Sequence, residues 1–253
     1  MIAKAKILTI KGLFSDIMKI AEMTGSRFDK VDKSVALLPV GSLERHGDHL
    51  PLGTDGIIPM HIAERAGEVL NCLVLPTVWY GSCNAMRTFP GTFDIESEAL
   101  FKYLKSIMVE ANRNGVNLLV VVNGHGGNST PLSMAARESS KDLDLSIIIL
   151  DWWRELGTEK LKMFSSPGHA GEDETSAMLA LLMGHVDMKK AKTYEVTFPK
   201  FKIYSNRMDK KLYGIALTGD AKKATRKKGD ELLDAVVQDL ITIIKEARQM
   251  LNL

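Results

Sequence analysis

Residues 41–55 read Gly-Ser-Leu-Glu-Arg-His-Gly-Asp-His-Leu-Pro-Leu-Gly-Thr-Asp and bring Glu44, His46 and Asp55 into one short stretch. Glu44 and His46 are two apart, so in an extended segment both side chains point to the same side. Such spacing suits two ligands aimed at one site. Asp55 adds a carboxylate whose two oxygens can bridge neighbouring cations, and Gly47, Pro51 and Gly53 let the chain bend back. Oxygen and imidazole donors without a thiolate suit zinc, manganese or iron better than an iron–sulfur cluster. A solvated surface loop is the alternative, and the position directly after an apolar run argues against it, because ligands bind beyond strand ends.

Two further clusters carry histidine. Residues 123–128, Asn-Gly-His-Gly-Gly-Asn, offer His125 as a third ligand segment. They could instead form an anion cradle of backbone N–H groups at a helix start, with Thr130 as candidate N-cap and Pro131 at the first helical position. The stretch is not a P-loop, lacking the Gly-Lys-Ser/Thr ending. Residues 168–176, Gly-His-Ala-Gly-Glu-Asp-Glu-Thr-Ser, open a helix, where Glu172, Asp173 and Glu174 are favourable on dipole grounds alone. Two divalent ions bring about four positive charges against only the Glu44 and Asp55 carboxylates, so a further Glu is chemically wanted. His169 could then act as general acid or base.

Trp152 and Trp153 follow another apolar run. Adjacent strand residues face opposite sides, so one tryptophan, taken as Trp152, faces the site to stack a flat substrate while the other packs. Lys222, Lys223, Arg226, Lys227 and Lys228 lack interleaved aromatics and read as a solvated helix face, not a nucleic-acid patch. Cys72 and Cys83 form no CxxC pair and no disulfide framework, and read as small buried apolar residues in a reducing, cytoplasmic setting.

These clusters need a frame that brings them together. The runs at 34–40, 72–75, 118–122 and 146–150 are short, aliphatic and β-branched, as buried strands are. Between them, residues 57–70, 97–114 and 130–141 carry apolar side chains at helical spacing. Alternating strand and helix predicts an α/β fold, a mostly parallel sheet with helices on both faces. The three clusters that follow strands then converge on the sheet's carboxyl edge. Beyond them a helix over 174–183, an irregular stretch over 192–218 with one β-like segment, and a helix from 220 almost to the end are expected. No composition break divides the chain, so residues 1–253 read as one domain.

The chain has 253 residues, 45% hydrophobic and 25% charged, which excludes general disorder. A net charge of +2 gives no global pull toward nucleic acid or acidic membrane. Lys4, Lys6 and Lys11 interrupt the first apolar stretch, so no signal peptide is expected. No run approaches the roughly 20 residues needed to span a bilayer.

Taken together, residues 41–55, Phe89-Pro90-Gly91-Thr92, residues 123–128 and His169-Ala-Gly-Glu-Asp-Glu174-Thr-Ser176 resemble the creatininase family of metal-dependent amidohydrolases. The resemblance implies a three-layer α/β/α fold with two divalent ions per chain, zinc, manganese or iron. It implies Glu44, Asp55 and His125 on one ion, His46 and the bridging Asp55 on the other, Glu174 beside the second, and His169 as the catalytic histidine. It also implies a homo-oligomer, often a hexamer. Creatininase itself carries Tyr and Glu, the latter a metal ligand, where this chain has Gly126 and Gly127. That Gly-Gly form is similar to the archaeal formamide hydrolase of flavin and deazaflavin biosynthesis and to the mycofactocin precursor peptidase. Arg45 replaces the family's usual Gln, and Ala85-Met86 a common Glu-His. The expected reaction is hydrolysis of a C–N amide bond in a small molecule. One candidate substrate is a formamide on a ribosylaminopyrimidine phosphate, with Arg45, Arg87, Gly126 and Gly127 accommodating an anion and Trp152 stacking the ring. A creatinine-like cyclic amide or a peptide is the alternative within the family, and a non-catalytic nucleotide- or phosphate-binding module the alternative outside it.

Overall fold

The computed structural model describes residues 17–201 and 203–253, so the expectation drawn from Lys4, Lys6 and Lys11 lies outside the described residues. In chain order the elements are β1 (Val35–Val40), α1 (Thr54–Leu70), β2 (Leu73–Val74), α2 (Ser97–Arg113), β3 (Leu118–Asn123), α3 (Ser129–Ser139) and β4 (Ser146–Asp151). They are followed by α4 (Glu172–Leu182), β5 (Thr193–Tyr194), α5 (Asn206–Leu212), β6 (Gly219–Asp220) and α6 (Arg226–Leu251). Shorter helical turns connect several of them.

Strands β2-β1-β3-β4 form one parallel sheet in that order, and β5 pairs antiparallel with β6 as a separate ribbon. Along β1, Val35 and Leu37 enter one core while Ala36, Leu38 and Val40 enter the other. Along β3, Leu118, Val120 and Val122 alternate in the same way with Leu119 and Val121. A strand apolar on both faces is stable only when helices cover both sides. Helices α1, α4 and α6 contribute to the first core, and α2 and α3 to the second, giving the expected three-layer α/β/α arrangement. In α2, Leu100, Leu104, Met108 and Ala111 form the buried stripe that seats it.

The sheet's carboxyl edge is level. Val40 pairs with Asn123, and Asn123 with Asp151, so the segments after β1, β3 and β4 leave at one height. Asn123 Nδ2 donates to Asp151 Oδ1 at 2.7 Å, and Asn128 Nδ2 donates to the Gly41 carbonyl at 2.9 Å, tying the three exits side by side.

Several boundaries differ from the sequence reading. Helix α1 starts at Thr54, not 57, because Thr54 Oγ1 donates to the Pro51 carbonyl and the Gly56 and Ile57 amides donate to the Gly53 carbonyl. Asp55 is thereby in a first helical turn. Thr130 is not an N-cap: α3 begins at Ser129, preceded by a 3-10 turn at Gly126–Asn128. Helix α4 begins at Glu172, two residues earlier than expected. The long last helix begins at Arg226 with Thr225 accepting from the Lys228 amide, whereas Asp220 caps a separate turn at Ala221–Lys223. Residues 192–218 hold β5 and the unforeseen α5.

Candidate metal centre

Two glycines explain how Asp55 reaches the sheet edge. A Cβ on Gly41 would stand 2.4 Å from the Asp55 carbonyl oxygen, and one on Gly124 would stand 2.0 Å from it. The first turn of α1 therefore rests directly on the chain leaving β1 and β3, a contact that only glycine permits. Ser42 Oγ then donates to Asp55 Oδ2 at 2.9 Å and fixes the carboxylate.

Three imidazoles converge on the Asp55 and Glu44 carboxylates, and each has one nitrogen tied to a backbone carbonyl. A carbonyl only accepts, so that nitrogen carries the hydrogen. His46 Nδ1 donates to the Glu44 carbonyl at 3.1 Å, His125 Nε2 to the Ser82 carbonyl at 2.9 Å, and His169 Nε2 to the Arg45 carbonyl at 2.8 Å. The opposite nitrogens face carboxylates. His46 Nε2 lies 2.9 Å from Asp55 Oδ1 and 3.5 Å from Glu174 Oε2. His125 Nδ1 lies 2.9 Å from Asp55 Oδ2 and 3.3 Å from Glu44 Oε1, and His169 Nδ1 lies 3.4 Å from that same Glu44 oxygen. Each of Asp55's two oxygens thus faces a different imidazole.

This arrangement fits divalent cations. Ligating histidines are characteristically oriented by a hydrogen bond from the second ring nitrogen to a carbonyl or carboxylate. Among the described residues Glu44 Oε2 is buried without a hydrogen-bond partner, an atom whose burial is costly unless something positive meets it. Glu44 with His46 and His169, Glu44 with Cys83 and His125, and His46 with Asp55 and Glu174 each present donor atoms within 4.8 Å of one another.

The electrostatics show what holds these charges together. Burial opposes charge on His46, but the charge and hydrogen bond of Asp55, with Glu174 and Glu44 behind it, carry its pKa up to about 10. Burial likewise opposes charge on His125, and Glu44 and Asp55 raise its pKa well above the ordinary histidine value. Asp55 stays far below the usual carboxylate range: burial pushes it up, and His46 and His125 outweigh that. His169 differs. Burial, then the positive His46 ring 4.2 Å away, push it down to about 4, so it is neutral at pH 7 with a free Nδ1 lone pair. Burial, with Asp55 and Asp173 exceeding the opposing pull of His46, lifts Glu174 to about 8.

The centre forms the floor of a cavity of about 1200 Å³. Glu44, Asp55, His125, His169 and Glu174 line it at the sheet edge. Trp153, Tyr213 and Phe198 line it further out, the Tyr213 ring edge-on to His169 at 6.0 Å and to Phe198 at 5.7 Å.

Residues 21–244 match the creatininase family, described as creatinine amidohydrolase. The chain belongs to the creatininase family. Creatinine amidohydrolase of Pseudomonas putida is 29% identical over 232 residues, 84% of this chain and 89% of that protein. The 2-amino-5-formylamino-6-ribosylaminopyrimidin-4(3H)-one 5'-monophosphate deformylase of Methanothermus fervidus is 28% identical over 228 residues, 86% of each. The solved structure "Creatininase Mn" superposes with a TM-score of 0.83 at 26% identity, covering 91% of this chain and 98% of that one. No helix among the described residues is long and apolar enough to cross a membrane.

Within this creatininase-family fold, Glu44, His46, Asp55, His125, His169 and Glu174 come together in one cluster. Gly126 and Gly127 line the cavity, and a Cβ on Gly127 would meet the Ser82 carbonyl at 1.9 Å, so chain packing alone requires glycine there. Trp152 does not face the site: it is 1% exposed in the core, and Trp153 lines the cavity instead. The pair forms a helical turn, Trp152–Glu155, rather than a strand continuation, which reverses which ring points outward. Arg45 does not reach the cavity either. Its guanidinium donates to the Gly47 carbonyl and pairs with Asp48, and it is the Arg45 carbonyl that touches the centre, by accepting from His169. Of the basic run, Lys228 pairs with the buried Glu172, while Lys223 reaches Ser165. The sequence reading singled out Ala85-Met86 but missed Ser82, Cys83 and Asn84, and the segments 198–201 and 203–213, as cavity walls. Exposed aromatics in an otherwise polar stretch, Phe198, Phe201 and Tyr204, were the available signal for the latter.

Proposed function

We propose that this creatininase-family chain is a two-metal amidohydrolase. Glu44, Asp55 and His125 would hold one ion, His46, Asp55 and Glu174 the other, with zinc, manganese or iron as the metal. The observation that carries the reading is the set of histidines pinned by backbone carbonyls around Asp55, whose two oxygens face different rings. When bound, such ions supply Lewis-acid polarisation of the amide carbonyl and activation of the attacking water.

The chain's own part is proton movement and positioning. His169 keeps its proton on Nε2, donated to the Arg45 carbonyl, so Nδ1 is the atom that can accept a proton from the nucleophile and pass it to the leaving nitrogen. Glu174 is held in place by the Ala170 amide at 2.7 Å and stands beside His46, where it can share that transfer.

For the substrate, the walls support an uncharged or cationic amide, such as a creatinine-like ring or a short peptide, over the formamide on a ribosylaminopyrimidine phosphate. Among the described lining residues, Asp173, Asp209 and the aromatic rings favour apolar or positive groups. Phe201 and Tyr204, 68% and 89% exposed beside the cavity mouth, support a homo-oligomer that covers them, which light scattering would report.

Elemental mass spectrometry on wild type and Asp55→Ala, beside an assay for released amine and formate, tests the reading. About two ions per wild-type chain, far fewer in the variant, and amine release that follows metal content are expected. No stoichiometric metal under any loading condition would move the protein to the non-catalytic binding class.

A further inference from the structure

Cys83 stands where a ligand would. Its side chain is 1% exposed, and its sulfur shares a 4.8 Å cluster with a Glu44 oxygen and a His125 nitrogen. We infer that Cys83 Sγ is a thiolate ligand of the ion held by Glu44 and His125. The inference rests on the two-metal reading and adds to it a soft donor that the carboxylate and histidine motifs do not contain.

The segment carrying Cys83 is fixed on both sides. The Cys83 amide donates to Asp94 Oδ1 at 2.7 Å, the Met86 amide donates to the Cys83 carbonyl at 2.9 Å, and the Ser82 amide donates to Asn128 Oδ1 at 3.0 Å. The carbonyl joining Ser82 to Cys83 accepts from His125 Nε2. One peptide unit therefore orients the imidazole and carries the thiol, so the two donors are placed as a unit. On the other side, the buried oxygen Glu44 Oε2 has no hydrogen-bond partner among the described residues. The thiol's own hydrogen bond is weak, to the Gly81 carbonyl at 3.5 Å, and is readily given up.

Gly127 explains why the donor comes from this segment. The Ser82 carbonyl occupies the position 1.9 Å from where a Cβ on residue 127 would stand. No side chain at 127 can reach the centre while Ser82 and Cys83 lie there, and the thiol is the next donor along. Binding forms a sulfur–metal bond and releases the thiol proton to solvent, with no change of oxidation state. A thiolate in an otherwise oxygen and nitrogen set shifts preference from manganese toward zinc.

Cobalt(II) reports the bond directly. Loaded on the intact protein, it should show a near-ultraviolet thiolate-to-metal charge-transfer band that survives Cys72→Ser and disappears in Cys83→Ser, with cobalt stoichiometry unchanged. X-ray absorption on the zinc form should find a sulfur neighbour at about 2.3 Å, absent in Cys83→Ser. The zinc-over-manganese preference of that variant should fall by about tenfold or more. Stoichiometric cobalt with ordinary visible bands but no thiolate band would overturn the Cys83 assignment and leave the two-metal reading standing. Absence of bound cobalt would overturn both.

Discussion

At the scale of single residues, Asp55 and His169 have separable roles although they stand in one cluster. Asp55 faces His46 with one oxygen and His125 with the other, and Ser42 holds it still. Asp55→Asn keeps the shape and the Ser42 contact but halves the donor's capacity and removes its charge. Metal content should fall from about two ions to below one per chain by elemental analysis. Retention of two ions would remove Asp55 as the bridge. His169 is neutral and tied through Nε2. His169→Asn should leave metal content intact and lower kcat by about 10²–10⁴, the usual contribution of a positioned acid–base group. A parallel loss of metal would instead make His169 a ligand, since its Nδ1 also lies near Glu44.

At the scale of elements, the site depends on how closely α1 and α4 meet the strand exits. Gly124→Ala puts a methyl group 2.0 Å from the Asp55 carbonyl, so the first turn of α1 must shift. The expected loss is about 1–3 kcal/mol by denaturant titration, accompanied by weaker metal retention, because the displaced turn carries Asp55. The start of α4 is held differently. Glu172 is buried, accepts from the Ser165 and Ser166 amides, and pairs with Lys228. Burial pushes its pKa up, and Lys228 with those amides outweighs the push, leaving it below the ordinary carboxylate value. A folded value below the unfolded one stabilises fully above the unfolded pKa and is lost as pH falls through the folded value. Glu172→Gln should cost about 1–3 kcal/mol at neutral pH, and the deficit should narrow as pH drops through the carboxylate range in thermal melts.

Elements of this kind were legible in the sequence to different degrees, for physical reasons. Strands β1 and β3 announce themselves because a strand buried on both faces admits almost no polar residue. The motif residues were legible because ligand chemistry restricts residue type. Helix α5 was not: Asn-Arg-Met-Asp-Lys-Lys-Leu has no apolar stripe, and only Leu212 is buried. Trp152 was assigned the wrong direction because side-chain orientation follows the period of the element, and a helical turn replaced the assumed strand. Cys83 has no local pattern at all. Its nearness to Glu44 and His125 arises from tertiary placement of a loop some forty residues from either.

At the scale of the whole molecule, the centre is where the layers are joined. Glu44 and His46 come from the exit of β1, Asp55 from α1, His125 from the exit of β3, and Glu174 from α4 beneath α6. Without a cation, the Glu44 and Asp55 carboxylates are held together at neutral pH by protons on His46 and His125, at a floor where Glu44, His46 and Asp55 are buried. Divalent ions replace those protons with charges that bind several segments at once, and an ion that binds only the folded chain stabilises it by mass action. At a free metal concentration of about 100 Kd the gain is about 2.7 kcal/mol per independent site. For a chain of this size that corresponds to roughly 5–10 °C in Tm. Chelation should therefore lower Tm by at least that much, zinc or manganese should restore it, and Asp55→Asn should show neither the loss nor the recovery. A chelated wild type that melts where the loaded protein melts would mean that the helices and sheet are held by their two apolar cores alone, with the centre adding chemistry but no cross-link.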